Sequence, residues 1–333
     1  MKQSFLLIIC LIMIWSCAGT LPEWYNNREE YYPKDKYIVS KGWGETPEKA
    51  IEKAIINMAQ IFNTRVTVEK NILQRYESIS NMKDFDEYLY EFSEENARLI
   101  SEQNLVNVSF VEPVYEKRSK SFYTLAYIQR SETGRILMDR MKREQESMEY
   151  YVRMAQSKHD PVSVFHYYTA AWLTAGRNKM MQEQLDILIP GVGIKPIYNF
   201  AELEVLKDKA AEYIRFKIFV EGDANGRIKQ AFRTAVNNAG FTTVEQNAII
   251  QISAKSLIKK IDIDQDPLAF VSWELQIKMN KDKNETALSM MEEGREGSTN
   301  IENAKMHAYE NMQKYIENEF ENKLLIYFDK LEQ

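Results

Sequence analysis

The sequence predicts an α+β protein: two small mixed antiparallel-sheet domains, each with packed helices, joined by a helical hairpin connector. Three observations carry this expectation. Twice, at residues 37–41 and 213–220, a stretch of alternating aromatic and β-branched residues runs through a glycine-bearing turn into an alanine-rich amphipathic helix. Each of these units leads on to paired strand-like stretches that fit an antiparallel hairpin. The chain then closes on its longest apolar helical stripe, where Ile301, Ala304, Ala308, Met312, Tyr315, Phe320, Leu324 and Tyr327 recur at three-four spacing.

Composition bounds the rest. The chain has 333 residues, 28% charged and 44% hydrophobic, which is the size of two domains and the make-up of a globular protein. The net charge of -6 argues against nucleic acid, whose binders carry a strongly basic face. Only Cys10 and Cys17 supply sulfur for disulfides, Cys10 within the leader and Cys17 directly after it, so no pair is left for a disulfide and core packing must hold the fold.

That leader begins with Lys2 and an unbroken apolar run from Phe5 to Trp15, followed by Ser16, Cys17 and the small residues Ala18 and Gly19. The run is shorter than the roughly 20 residues a spanning helix needs, and it has the layout of a secretory signal peptide. Ile14-Trp15-Ser16-Cys17 resembles the lipobox of bacterial lipoproteins, although Trp15 is bulkier than the residue usual there. That resemblance implies cleavage after residue 16, a diacylglycerol group on the Cys17 thiol and a fatty acyl chain such as palmitate on its amine. Each buried methylene would contribute about 0.8 kcal/mol to such an anchor. An ordinary signal peptide cut near Gly19 is the alternative.

Taken in order, the domains fall at 1–16 (signal peptide), 17–35 (tether), 36–131, 132–189 (helical connector), 190–210 (linker) and 211–333. The tether carries Trp24, Tyr25, Tyr31 and Tyr32, too aromatic for a free linker, and Trp24 and Tyr25 are expected to dock on the first domain. Gly42-Trp43-Gly44 is expected to turn the chain, with Thr46 as N-cap and Pro47 as first helical residue. Ala50, Ile51, Ala54, Ile55, Met58, Ala59 and Phe62 then form one apolar helix face. A strand over 65–69, a helix over 84–103 and a hairpin of 105–115 with 121–129 complete the first domain.

These residues resemble the LPP-twenty lipoprotein family: a strand ending in Gly42-Trp43-Gly44, a capped alanine-rich helix, Val66-Thr67-Val68, and a second hairpin strand reading Phe122-Tyr-Thr-Leu-Ala-Tyr-Ile128. The N-terminal domain of flagellar assembly protein T is of the same kind. The resemblance covers about residues 21–130, and it implies an envelope location and a fold, with no shared catalytic signature.

In the connector, a first helix ends before Asp160-Pro161, a second is expected to stop near Gly176, and a third carries Met181, Leu185 and Leu188. In the last domain, Asn225 is expected to cap a helix that stops at Gly240. Strands are expected over 242–258, 268–279 and 286–291, and Thr299 with Glu302 forms a capping box. The shared strand, turn and helix at the start of both domains fits either a diverged duplication or coincidence.

No motif argues for an enzyme. Gly42-Trp43-Gly44 lacks the third glycine and the Lys-Ser/Thr of phosphate loops. Residues 262–266 have a calcium-loop start, but Pro267 and Trp273 replace the required Gly and Glu. His159, His166 and His307 have no companion ligands at metal spacing, and Glu144, Glu146 and Glu149 read as solvated helix charges. No cofactor and no metal are expected. The sites expected are therefore Cys17 for lipidation, and Trp24, Tyr25 and Trp43 for partner binding, with core plugs as the competing role for these aromatics. The function expected is a non-enzymatic, lipid-anchored module for structure, assembly or protein binding. Its partners would be the membrane, through Cys17, and another envelope protein. Ala18 after the cysteine favours the outer membrane over the inner under the bacterial sorting rule. A periplasmic small-molecule binder or enzyme with an interdomain pocket is the alternative.

Overall fold

The structure is a computed structural model that describes residues 21–63, 72, 75, 105–262, 268–282 and 285–329. It is α+β, with two sheets and helices packed on each. The expected signal peptide, the strand over 65–69, the helix over 84–103 and most of the acidic 262–266 segment lie outside the described residues. No described helix is long and apolar enough to cross a membrane. The described residues form two compact units, 21–63 with 105–143 and 178–195, and 72 and 75 with 144–177, 196–262, 268–282 and 285–329.

The first unit opens with two single-turn helices, α1 (Glu23–Asn26) and α2 (Arg28–Tyr31), then strand β1 (Tyr37–Gly44) and helix α3 (Pro47–Asn63). Short strands β2 (Ser109–Phe110) and β3 (Val114–Glu116) both pair antiparallel with β4 (Ser121–Gln129), which also pairs antiparallel with β1. The hairpin is the one expected, but its first arm is broken, and Pro113 in the break has no N–H to give the ladder. Glu116 caps the turn, accepting bonds from the N–H groups of Arg118 (2.8 Å) and Ser119 (2.6 Å).

Gly42-Trp43-Gly44 does not turn the chain. It is the last part of β1, paired with Thr124, Tyr123 and Phe122. The two glycines face α3, where a Cβ on Gly42 would lie 2.0 Å from the Ala50 carbonyl oxygen and 2.7 Å from Ala54 Cβ. They are there to admit the helix backbone, with Ala50 and Ala54 fully buried against the strand. Ser40 Oγ donates to the Ala54 carbonyl at 2.7 Å, and Asn57 Nδ2 donates to the Lys41 carbonyl at 2.8 Å. Thr46 Oγ1 accepts from the Lys49 N–H at 3.3 Å, the expected cap.

Two long helices follow, α4 (Arg130–Ser157) and α5 (Pro161–Leu188), each contributing to both units. Asp160 caps α5 through the Ser163 N–H at 3.0 Å, as its position before Pro161 predicts. The expected stop near Gly176 is absent, because α5 runs straight through it. A Cβ on Gly176 would meet Ile72 Cγ2 at 2.7 Å and the Phe200 ring at 3.2 Å, so the glycine serves close packing.

The second unit adds α6 (Phe200–Ala211), β5 (Arg215–Glu221), α7 (Arg227–Asn238), β6 (Thr242–Thr243), β7 (Ile250–Ile261), β8 (Ala269–Asp282) and β9 (Glu285–Ser298). Helix α6 falls where the sequence predicts linker. Its capping box of Asn199 and Glu202 is complete, but only Leu203, Ala210 and Ala211 are buried, so no apolar stripe announces it. The sheet order is β6-β5-β7-β8-β9, with β5 parallel to both β6 and β7 and the remaining pairs antiparallel. The strand expected over 242–258 is split in two, and β9 extends well past the expected residue 291, to Ser298.

Two caps shift from their expected positions. Asn225 does not cap α7; Gly226 takes that place in a left-handed conformation, and the Asp223 carboxylate accepts from the Lys229 N–H at 2.8 Å. Asn300 caps the next helix, α8 (Ile301–Tyr315), instead of Thr299, accepting from the Asn303 N–H at 2.8 Å. Gly240 (φ 88°) ends α7 as expected, with the Phe241 N–H reaching back to the Val236 carbonyl.

Helix α8 continues through a π turn (Ile316–Phe320) into α9 (Glu321–Asp329). Ala304, Ala308, Met312, Ile316, Phe320, Leu324 and Phe328 are all 1% exposed or less. They recur every four residues. In a 3.6-residue helix such a row drifts round the axis, and the wider π turn brings it back toward the sheet. Phe320 lies edge-on to Phe232 at 5.0 Å, and Phe328 touches Phe165, Phe216 and Phe241. Asp329, 2% exposed, accepts two bonds from the Arg75 guanidinium at 2.8 and 2.7 Å.

Replacing Gly42 by Ala is expected to destabilise the protein by about 3 kcal/mol, since a backbone oxygen occupies the place of the new methyl group. Ser40→Ala, which loses one hydrogen bond, should cost about 1 kcal/mol. Urea unfolding of the two variants checks the order.

Candidate functional site

Of the four site residues predicted from sequence, Cys17 lies outside the described residues. Of the other three, Tyr25 and Trp43 both flank Tyr123 on one face of the first sheet, and Trp24 packs on Tyr25. Residues alternate across a strand, so with Ser40, Gly42 and Gly44 turned to α3, β1 presents Tyr37, Val39, Lys41 and Trp43 to the opposite side. Register places Tyr127 beside Val39, Leu125 beside Lys41 and Tyr123 beside Trp43. The outer arm then sets Val114 beside Tyr123.

The two short N-terminal helices lie over part of this face. Tyr25 is 6% exposed and stands edge-on to Tyr123 with ring centres 5.1 Å apart. The Lys41 ammonium sits 4.4 Å from the Tyr25 ring centre, a cation–π contact. Trp24 meets Tyr25 edge-on at 5.9 Å. Further along, Tyr32 packs on Tyr127 at 4.8 Å and on Tyr37 at 5.4 Å. The docking expected from sequence is thus present for Tyr25, and Trp24 packs on Tyr25.

Arg130 ties this covering segment down. Its Nε donates to the Lys34 carbonyl at 2.9 Å, and one Nη donates to the carbonyls of Ile187 and Leu188 at 2.7 and 2.9 Å. Its own N–H bonds the Lys36 carbonyl at 2.9 Å. One side chain thereby satisfies the open carbonyls at the end of α5 and fixes the chain entering β1.

Among the described residues of this face, Trp43 is the most exposed aromatic. It is 50% exposed, next to Tyr123 on one side, with the Lys53 ammonium 5.9 Å from its ring. Val114, at the far end of the same row, is 40% exposed. The two roles weighed for these aromatics are therefore divided among them: Tyr25 is a core plug, and Trp43 is surface. Tyr123 and Tyr127 were missed as site residues, although the period-two pattern Tyr123, Leu125, Tyr127 in β4 already sets them on one face.

Burial, with the neighbouring Tyr123 second, pushes the Tyr25 phenol up to about 12. Burial likewise raises Tyr32, helped by Tyr127 and Tyr37. Burial lowers the Lys41 ammonium, with Arg28 adding to it. The face favours neutral groups, and it is built for apolar and ring contact.

Elsewhere, a half-open depression of about 260 Å³ lies on the second sheet, lined by Leu257, Lys259, Ser272, Glu274, Glu293 and Arg295 among others. Among the described residues no three His, Cys, Asp or Glu side chains converge as metal ligands. His166 is buried against Tyr327 and Phe328, and His159 is exposed. Glu144 is not simply solvated, since Arg177 lies 3.8 Å away.

Because the fold holds Tyr25 neutral, its contribution is intact below the ordinary phenol value of 10.0 and is lost as pH rises through about 12. Tyr25→Phe cannot ionise, so urea unfolding across this range should show a smaller alkaline loss of stability. The losses due to Tyr32 and Tyr151, whose phenols are also raised, should remain.

Compared by sequence, the chain matches no protein-family model and no curated protein. Among solved structures, a minor lipoprotein from Acinetobacter baumannii aligns over 34% of this chain and 95% of its own, at 3% identity and a TM-score of 0.29. The secreted protein HP1454 from Helicobacter pylori aligns over 88% of this chain and 96% of its own, at 12% identity and a TM-score of 0.39. Likenesses this distant bear on neither site nor activity.

Proposed function

We propose that this protein is a non-enzymatic lipoprotein of the bacterial cell envelope, similar in its first domain to the LPP-twenty family. It is anchored through Cys17, in the outer membrane, and binds another envelope protein through the aromatic face of its first sheet. The observation that carries the binding role is the exposure of Trp43. Its indole sits half in water in a strand whose other aromatic neighbours are packed, and Trp is among the residues that most often anchor protein interfaces. Trp43, Tyr123 and Val114 form one continuous cross-strand row, which gives a partner an apolar strip beside the charged Lys41 and Lys53. The anchor rests on the leader sequence and on Cys17 as its acceptor.

The two halves of this proposal separate experimentally. Intact-mass analysis of the N-terminal peptide from membranes should find a lipid-sized increment on Cys17, abolished in Cys17→Ser along with membrane retention. An unmodified chain cut elsewhere contradicts the anchor. For the binding role, cross-linking in whole cells should give a discrete adduct with an envelope protein. Trp43→Ala should reduce it about tenfold or more, the usual cost of truncating a central aromatic anchor, while leaving thermal unfolding unchanged. An adduct indifferent to Trp43 contradicts the face assignment.

A further inference from the structure

Strand β9 closes the second sheet on one side, and among the described residues its outer edge has no strand partner. It runs for 14 residues, and among the described strands it pairs only with β8. Among the described residues, no backbone hydrogen bond reaches it from a loop or helix. Helix α8 packs on the core face of β8 and β9. A long free edge of this kind is a template for one more strand.

The side chains along β9 show which strand fits. On the open face of the sheet it carries Met291, Glu293 and Arg295, all exposed, followed by Gly297. Glu293 stands directly opposite Glu274 of β8, a like-charge pair, while Arg295 stands opposite Ser272. Neither Glu293 nor Arg295 makes a salt bridge within the described chain. Their opposite charges are two residues apart on one face. A strand with the same two residues, running antiparallel about a two-fold axis at Gly294, would set each Arg295 against a Glu293 and each Glu293 against an Arg295.

From this geometry we propose that β9 pairs with β9 of a second copy of the chain, antiparallel and centred on Gly294, joining the two second sheets into one. The same register sets Met291 opposite Gly297 of the second copy, where the Phe270 ring lies across the space a side chain would fill. The thioether thus gains an aromatic neighbour. On the core face, Glu296 comes opposite Glu292 of the second copy. Glu296 is drawn back under its own sheet, accepting from Trp273 Nε1 at 3.3 Å and Asn311 Nδ2 at 2.6 Å, which lessens that repulsion. Residues 290–298 of each copy overlap, and their outward backbone groups gain partners. The surface is separate from the aromatic face of the first unit, so its failure would leave the proposed function intact.

The test is the mass of the full chain in mild detergent over a dilution series, with charge reversals at exposed positions that should not affect folding. The wild type should be a dimer that dissociates on dilution, with amide exchange over residues 290–298 slowed in the dimer. Arg295→Glu alone and Glu293→Arg alone should each weaken it about tenfold or more, since each places two like-charge pairs across the axis. Mixing the two single variants, or combining both changes in one chain, should restore it. A chain that stays monomeric at all concentrations, with fast exchange over 290–298, overturns the proposal. So does a dimer insensitive to the single reversals, or one that the combined reversal does not restore.

Discussion

The contact on which the first unit depends is between the backbone of α3 and the glycines of β1. With no Cβ on Gly42, the Ala50 carbonyl and the Ala54 methyl lie directly on the strand. The side-chain alternation of a strand then decides everything opposite. Because Ser40, Gly42 and Gly44 are committed to the helix, Lys41 and Trp43 must face the other way. Tyr25 and Tyr32 find their places there, and the one indole they do not cover is the proposed contact. A larger residue at position 42 would push α3 off the sheet and loosen both sides together.

The second unit obeys the same logic of helix on sheet with a different device. Its terminal helix keeps a four-residue apolar row over more than six turns' worth of alternate burial, and the π turn at Ile316–Phe320 corrects the drift. The described helices occupy one face. Among the described residues nothing pairs with the outer edge of β9, which carries charges. Glutamates and an arginine along an edge discourage indiscriminate pairing, and the same charges select one register with a copy of themselves. The two sheets also differ in pairing, since β1 meets β4 antiparallel whereas β5 meets β7 in parallel.

Much of this was legible in the sequence, and the errors have specific causes. The helix face of Ala50, Ala54 and Met58, the strand at Phe216 and Ile218 and the docking of Tyr25 follow from periodicity and composition alone. Glycine was the residue most easily misread. At Gly42 and Gly176 it stands in regular structure because a neighbour lies too close, and one chain's sequence does not distinguish this from a turn or a stop. Caps slipped by one or two positions, from Asn225 to Gly226 with Asp223 and from Thr299 to Asn300, since adjacent polar residues compete for the same orphan N–H groups. Helix α6 was missed because its burial comes from few side chains. The sequence left Trp43 between partner contact and core plug, for its exposure depends on which aromatics the N-terminal segment covers.

The central claim is that Trp43 faces water on the uncovered part of that sheet and meets a partner there. Fluorine NMR of the chain labelled with 5-fluorotryptophan tests it most directly, with Trp43→Phe to identify the resonance. The Trp43 signal should show the full solvent isotope shift between light and heavy water, and should broaden selectively when solubilised envelope proteins are added. A Trp43 signal without an isotope shift, or one unmoved by those proteins while a different tryptophan responds, would contradict the account.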